Sequence, residues 1–299
     1  MNNLLPPKLD LVFKMLFTKD DELLTDLLNA VLNLSAEKRI RTVKVLNPAI
    51  LPETVRQKII ILDIRATDAS DRQYDIEMQV RKYLFYPKRT LYYISKMYAE
   101  QLKAGDEYDR LKPVIGIHFL DYEQFPDYDD FHFCFQFREK RHPELTLTED
   151  MTLHLFELPV FDKQRRKTDN LAKLEEWLWF FCHAHEEKEK TMRTHYANPK
   201  IQKAFDMLET LSADENIKIL AEERAKALKD EISIIASERR SARREGERIG
   251  IEKGKIIGIE DGQKIKAFET ARKLLRMGIL STEQIADATG LERAEIDKL

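Results

Sequence analysis

The sequence predicts an α/β domain built on a mixed sheet, followed by an all-helical C-terminal region. Short β-rich runs alternate with helical patterns over about the first 160 residues, and one connection between runs is long enough to be a crossover. Beyond about residue 170 no strand signal recurs. The expected units are 1–162 for the α/β domain, 163–240 for a helical domain, 241–265 for a glycine-repeat helix or stalk, and 266–299 for a small helix-turn-helix-like module.

Composition narrows the function classes. The chain has 299 residues, 43% of them hydrophobic, so a substantial core is affordable, and its 34% of charged residues points to long solvated helices rather than disorder. A net charge of −3 supplies no global field toward DNA or an anionic membrane, so any nucleic-acid contact must come from local patches. Two cysteines without CxxC spacing, Cys134 and Cys182, argue against a disulfide framework or zinc finger and read as reduced thiols. No signal-peptide pattern opens the chain and no run approaches a membrane span, so the expectation is a soluble, cytoplasmic protein with no membrane partner.

The elements follow in order. "KLDLVFKMLFTKDDELLTDLLNAVLN" (8–33) predicts two helices, with Asp20 as the N-cap of the second. "IRTVKVLN", "RQKIIILDIRAT" and "QYDIEMQV" read as strands. "PKRTLYYISKMYAEQLKAG" reads as a helix with Pro87 early and Gly105 just past its end. "LKPVIGIHFLDY" follows as a buried strand, then "HFCFQFR" and "TLHLFELPV" as two more. The polar "DKQRRKTDN" (162–170) gives the best boundary.

In the helical half, Trp177, Trp179, Phe180 and Phe181 read as core or domain-interface packing rather than a base-stacking platform. Glycines at 246, 250, 254, 258 and 262 recur every four residues, each costing a helix about 1 kcal/mol relative to alanine. Close approach by a partner helix would offset that cost and make this stalk a homodimer contact, and a flexible charged linker is the alternative. In the tail, Gly278 ends one helix, Ser281 or Thr282 caps the next, and Gly290 ends it before a short third. With three acids in "LERAEIDKL", this module suits packing or dimerisation better than base readout. "GIEKGKI" (250–256) is one residue short of a phosphate loop, and His183 and His185 lack a third metal ligand nearby in sequence.

The stretch "LDIRATDASDRQYDIEMQVR" (62–81) carries the candidate chemistry. It reads as a β-hairpin with Asp75, Glu77, Gln79 and Arg81 on one face of its second strand and Tyr74, Ile76, Met78 and Val80 on the other. If the turn is 68–72, residue 67 pairs with 73 and Asp63 falls opposite Glu77, about 5 Å away at Cβ. Carboxylates that close repel unless a cation lies between them, and two hard oxygen ligands with open positions describe a Mg²⁺ site, with Mn²⁺ or Ca²⁺ as alternative ions. The reaction class that follows is metal-assisted phosphodiester hydrolysis. A solvent-facing strand that happens to be acidic fits the alternation equally well.

These residues resemble a known family. Asp63 at the end of a hydrophobic strand, followed by Glu77-Met78-Gln79 on the next, looks like the PD-(D/E)XK nuclease core. "KLDLVFKMLF", "YDIEMQ", "RTLYYISKMYAEQL", "YDRLKPVIGIHFLD", the "EGxxxG" glycines and "ATGLERAEIDKL", in that order over nearly the whole chain, are similar to the recombination-promoting nuclease (Rpn) or putative transposase family. The resemblance implies a restriction-endonuclease-like core and divalent-metal-dependent DNA cleavage linked to recombination or mobile elements. Carried onto this chain, Asp63 and Glu77 would bind the metal, and Gln79 would stand at the third motif position, where the wider superfamily has lysine. Asp10 matches an extra acid that some relatives place near the metal, and is otherwise a helix N-terminal acid favoured by the macrodipole. Lys14, one turn on, could replace the missing lysine in space or contact DNA. Arg81, Lys82, Lys88 and Arg89 follow the motif and would hold DNA phosphates. The competing reading is a DNA-binding or regulatory protein on the same fold with little or no catalysis.

Overall fold

The computed structural model describes residues 4–50, 60–165, 171–187 and 196–299, with the side chains of 49–61 set aside. Parts of two expected segments, "RQKIIIL" and "DKQRRKTDN", lie outside the described residues. The chain divides into two compact units, Met1–Leu228 and Lys229–Leu299.

In the first unit, helix α1 (Asp10–Thr18) and helix α2 (Asp21–Leu32) are separated at Asp20, whose side chain accepts from the amides of Glu22 and Leu23. Apolar groups on α1 at Val12, Phe13, Leu16 and Phe17 share one face at helical spacing, and that face is buried. Strands β1 (Val43–Leu46), β4 (Ile64–Asp68), β5 (Gln73–Gln79), β6 (Val114–Leu120), β7 (His132–Arg138) and β8 (Thr146–Glu157) form one sheet in the order β1-β4-β5-β6-β8-β7, while β2 (Ala49–Ile50) pairs with β3 (Ile60–Ile61) alone. The pairs β5–β6 and β6–β8 are parallel and the other neighbours antiparallel, so the sheet is mixed. Helix α3 (Tyr86–Ala99) is the crossover between β5 and β6, and it ends well before Gly105, earlier than the sequence suggests.

The sheet has two different faces. On one, Tyr74, Ile76 and Met78 of β5 and Ile115, Ile117 and Phe119 of β6 join α1, α2, helix α5 (Lys173–His183) and helix α6 (Pro199–Ala213) in a single core. On the other, α3 lays Ile94 and Met97 over Leu62 and Val114. The aromatic run Trp177–Phe181 belongs to the first core: Phe181 lies 5.0 Å from Phe119 and 5.7 Å from Phe13, ring centre to ring centre. The packing therefore does not divide at 162/163. Helices α5 and α6 are layers of the sheet domain, joined to it by burial of large aromatic surfaces.

Helix α4 (Leu158–Gln164) follows β8 directly, and helix α7 runs from Glu215 to Met277. Glycines 246 to 262 all lie inside α7, which overturns the flexible-linker alternative and also the phosphate-loop look of 250–256. A Cβ added at any of these five would meet nothing within 4 Å. In the second unit, Gly278 (φ +67°) stands just past α7, Ser281 caps helix α8 (Thr282–Thr289) by accepting from Gln284, and Gly290 (φ +71°) closes it before helix α9 (Arg293–Ile296). Ala271, Ile285, Leu291 and Ile296 make its small core. Among the described residues no helix is long and apolar enough to cross a membrane.

Candidate active site

The hairpin forms in the register that its turn dictates. Asp68 accepts from the amides of Ser70 and Arg72, from Arg72 Nε at 2.7 Å and from Tyr74 Oη at 2.8 Å, which pins the turn and lets Asp71 adopt φ +60°. Thr67 pairs with Gln73 and Ile64 with Ile76, so Asp63, one residue before β4, stands opposite Glu77. The two are laced together through the backbone: the Asp63 amide donates to Glu77 Oε1 at 3.1 Å, and the Met78 amide donates to Asp63 Oδ2 at 3.1 Å.

The acidic face is not a solvated surface. Asp75 is 0% exposed and Glu77 4%, beneath α3 on the polar face of the sheet. Burial first, then the Asp63 charge, pushes the Asp75 carboxyl up, to about 8, and burial followed by Asp75 and Asp63 raises Glu77 likewise. Asp75 Oδ1 has no hydrogen-bond partner among the described residues. Burying acids in this manner costs stability and is a mark of functional sites.

Next to them on β6, His118 places Nε2 3.3 Å from Asp75 Oδ2 and receives Tyr86 Oη of α3 on Nδ1 at 2.6 Å. Burial lowers His118 to about 4 and raises Tyr86, so both are neutral. The neutral imidazole thus bridges the tyrosine hydroxyl and Asp75 through its two ring nitrogens. Gly116 makes this contact possible: beside Asp75 in the ladder, its added Cβ would lie 2.8 Å from Leu153 and 3.3 Å from both His118 Nε2 and Ile94. Sequence reasoning missed Asp75, His118 and Tyr86 as site components. The signal was available in "VIGIHFL", where the small Gly116 and the polar His118 alternate within an otherwise apolar strand.

The positive charges fall as follows. Lys14 Nζ of α1 lies 3.1 Å from Asp63 Oδ1. Gln79 is clamped at both ends: its amide nitrogen donates to Glu77 Oε2 at 2.7 Å, and its carbonyl accepts from Arg89 Nη2 at 2.8 Å. Arg89 therefore turns toward the site, with its guanidinium carbon 4.7 Å from the Tyr83 ring and 5.4 Å from Tyr86. Lys82 donates to the carbonyls of Glu123 and Gln124 at 2.9 and 3.3 Å. Arg81 stacks on Tyr83 at 4.2 Å and Lys88 lies 5.8 Å from the Phe85 ring. Asp10, expected as a third metal ligand, instead pairs with Arg224 at 3.5 Å, and no group of three His, Cys, Asp or Glu in metal-binding geometry occurs among the described residues. Asp10 stands in the first turn of α1, and Asp63 and Glu77 form a two-carboxylate set. Oxygen-only donors whose mutual repulsion is relieved in part by one lysine fit a hard divalent ion that retains water ligands.

His183 pairs with Asp162 at 2.7 Å, and Cys134 is exposed while Cys182 is buried. A search of curated proteins and one of solved structures found no match. The family described as PD-(D/E)XK nuclease family transposase matches residues 7–238, a span that includes the hairpin, the crossover helix and the parallel strands bearing every residue of the site. The chain belongs to the PD-(D/E)XK nuclease family transposases.

Proposed function

We propose that this chain is a divalent-metal-dependent DNA endonuclease, working in recombination or mobile-element movement. The observation that carries the reading is the Asp63–Glu77 pair, cross-linked through two backbone amides and backed by two half-buried cations, Lys14 on Asp63 and Arg89 on Gln79. Asp63 and Glu77 would hold Mg²⁺, which when bound supplies an activated water and a counter-charge for the phosphoryl group.

The protein's own groups do the rest. Gln79, fixed between Glu77 and Arg89, cannot carry the charge of the usual lysine, but its second amide N–H would orient an attacking water. Arg89 brings a permanent positive charge next to the Gln79 carbonyl, and Lys14 brings one to Asp63. Lys14 would offset part of the negative charge that grows on a scissile phosphate, and Arg89 would act through the Gln79 that it orients. His118 and Tyr86 hold Asp75 from behind as neutral groups.

The test is cleavage of supercoiled plasmid with Mg²⁺ or Mn²⁺. Wild type should nick or linearise it, EDTA should stop the reaction, and Asp63→Ala or Glu77→Ala should slow it by at least about a thousandfold. Binding without cleavage by all three proteins would sink the enzyme reading in favour of a regulatory DNA-binding protein. We further propose a homodimer through α7, supported by its open glycine stripe and by Ile249, Ile256 and Ile259, exposed in the single chain. Sedimentation of a chain ending at residue 240 should show loss of self-association, and an unchanged dimer would contradict it.

A further inference from the structure

The loop that joins β5 to α3 has an unusual construction. It is anchored at both ends, by Lys82 bonded to the Glu123 and Gln124 carbonyls and by Tyr86, fully buried with its hydroxyl on His118. The Tyr86 amide closes the turn onto the Tyr83 carbonyl at 3.2 Å. Between these anchors the two central side chains point out: Leu84 is 80% exposed and Phe85 64%. A loop this firmly tied could turn such groups inward, so their exposure calls for a partner.

Two observations say which partner. The tip is tied to the Asp63–Glu77 site, since Arg89 bonds Gln79 and also lies over the Tyr83 ring, which Arg81 covers at 4.2 Å. From Arg81 to Ala99 the chain carries Arg81, Lys82, Lys88, Arg89 and Lys96 and no acid, in a protein of net charge −3. Apolar groups set among cations beside a phosphodiester-cleaving site match a polyanion that also offers flat apolar surfaces, which is DNA. Paired bases hide those surfaces in the stack, so only unstacked bases can use the tip.

We propose that Leu84 and Phe85 form a wedge for unstacked bases, directing the site to DNA with unpaired nucleotides beside the scissile phosphate. The proposal rests on the nuclease reading above, and it fails separately from it. In EDTA, the full-length protein is titrated into a labelled duplex and into the same duplex carrying a central unpaired bubble. Wild type should bind the bubble about tenfold more tightly, the size of one base stack. Leu84→Ser with Phe85→Ser should erase that preference with circular dichroism unchanged, whereas Phe85→Trp should keep it. The wedge is overturned if wild type shows no preference while still cleaving plasmid, or if the double variant keeps the preference. It is also overturned if that variant instead changes the sedimentation of the protein alone, which would assign the tip to a protein partner. If wild type binds neither DNA yet cleaves plasmid with Mg²⁺, the wedge alone is overturned; if it also leaves plasmid intact, the nuclease reading falls with it.

Discussion

The two faces of strand β5 differ by one residue of offset and by nearly everything else. Tyr74, Ile76 and Met78 enter a core of aromatic and aliphatic groups, where burial stabilises the fold and the Tyr74 hydroxyl is satisfied by Asp68 Oδ2. Asp75 and Glu77 enter an equally dry space, with Gln79 half-buried at its edge; burial raises the acids, and Asp75 Oδ1 has no partner among the described residues. One face holds the molecule together, and the other carries buried acids that cost stability, as functional sites do. The alternation of a strand lets a single seven-residue element serve both ends.

That contrast can be broken from either side. The largest stability effect belongs to the apolar face. Phe181→Ala, which removes a ring packed on Phe13, Phe17 and Phe119, should cost about 3–5 kcal/mol in urea unfolding. A loss below about 1 kcal/mol would mean that α5 is not part of this core.

On the polar face the next effect is catalytic. Arg89→Met should slow cleavage by about 10- to 100-fold, with melting temperature little changed. Since Arg89 acts as a positioning residue through Gln79, adding Gln79→Ala to that variant should cost little more than either change alone. Additive losses would separate the two.

The smallest effect is a gain. Asp75 has a folded pKa of about 8, above its unfolded value, so the folded state binds the extra proton and its stability falls as pH rises from about 4 toward 8. Asp75→Asn removes that penalty while keeping an acceptor for His118. In EDTA it should raise stability by about 1–2 kcal/mol at pH 8 and by nearly nothing at pH 4. A uniform change across that range would show that Asp75 does not titrate as described.

The sequence makes the hairpin register legible because the turn residues and the two-residue period leave one solution. Asp63 opposite Glu77 follows from it, while the family resemblance rests on the ordered motifs along the whole chain. Lys14 is readable only by position along α1, since its contact with Asp63 comes from how the helix docks. The bond of Arg89 to Gln79 is not readable in advance, because sequence shows a basic residue on a helix and not the Gln79 carbonyl awaiting a donor. Asp75 and His118 escape for the same reason: their meaning lies across a parallel strand pair separated by a helix. The aromatic run of α5 announces a core without saying whose, and the structure assigns it to the sheet.

If Glu77 serves chemistry, it does so at the expense of stability, and cleavage rate and melting temperature of Glu77→Gln, measured on one preparation, decide it. The rate should fall by at least about a thousandfold and the melting temperature should equal or exceed that of wild type. Retained cleavage, or a melting temperature lower by many degrees, would contradict it.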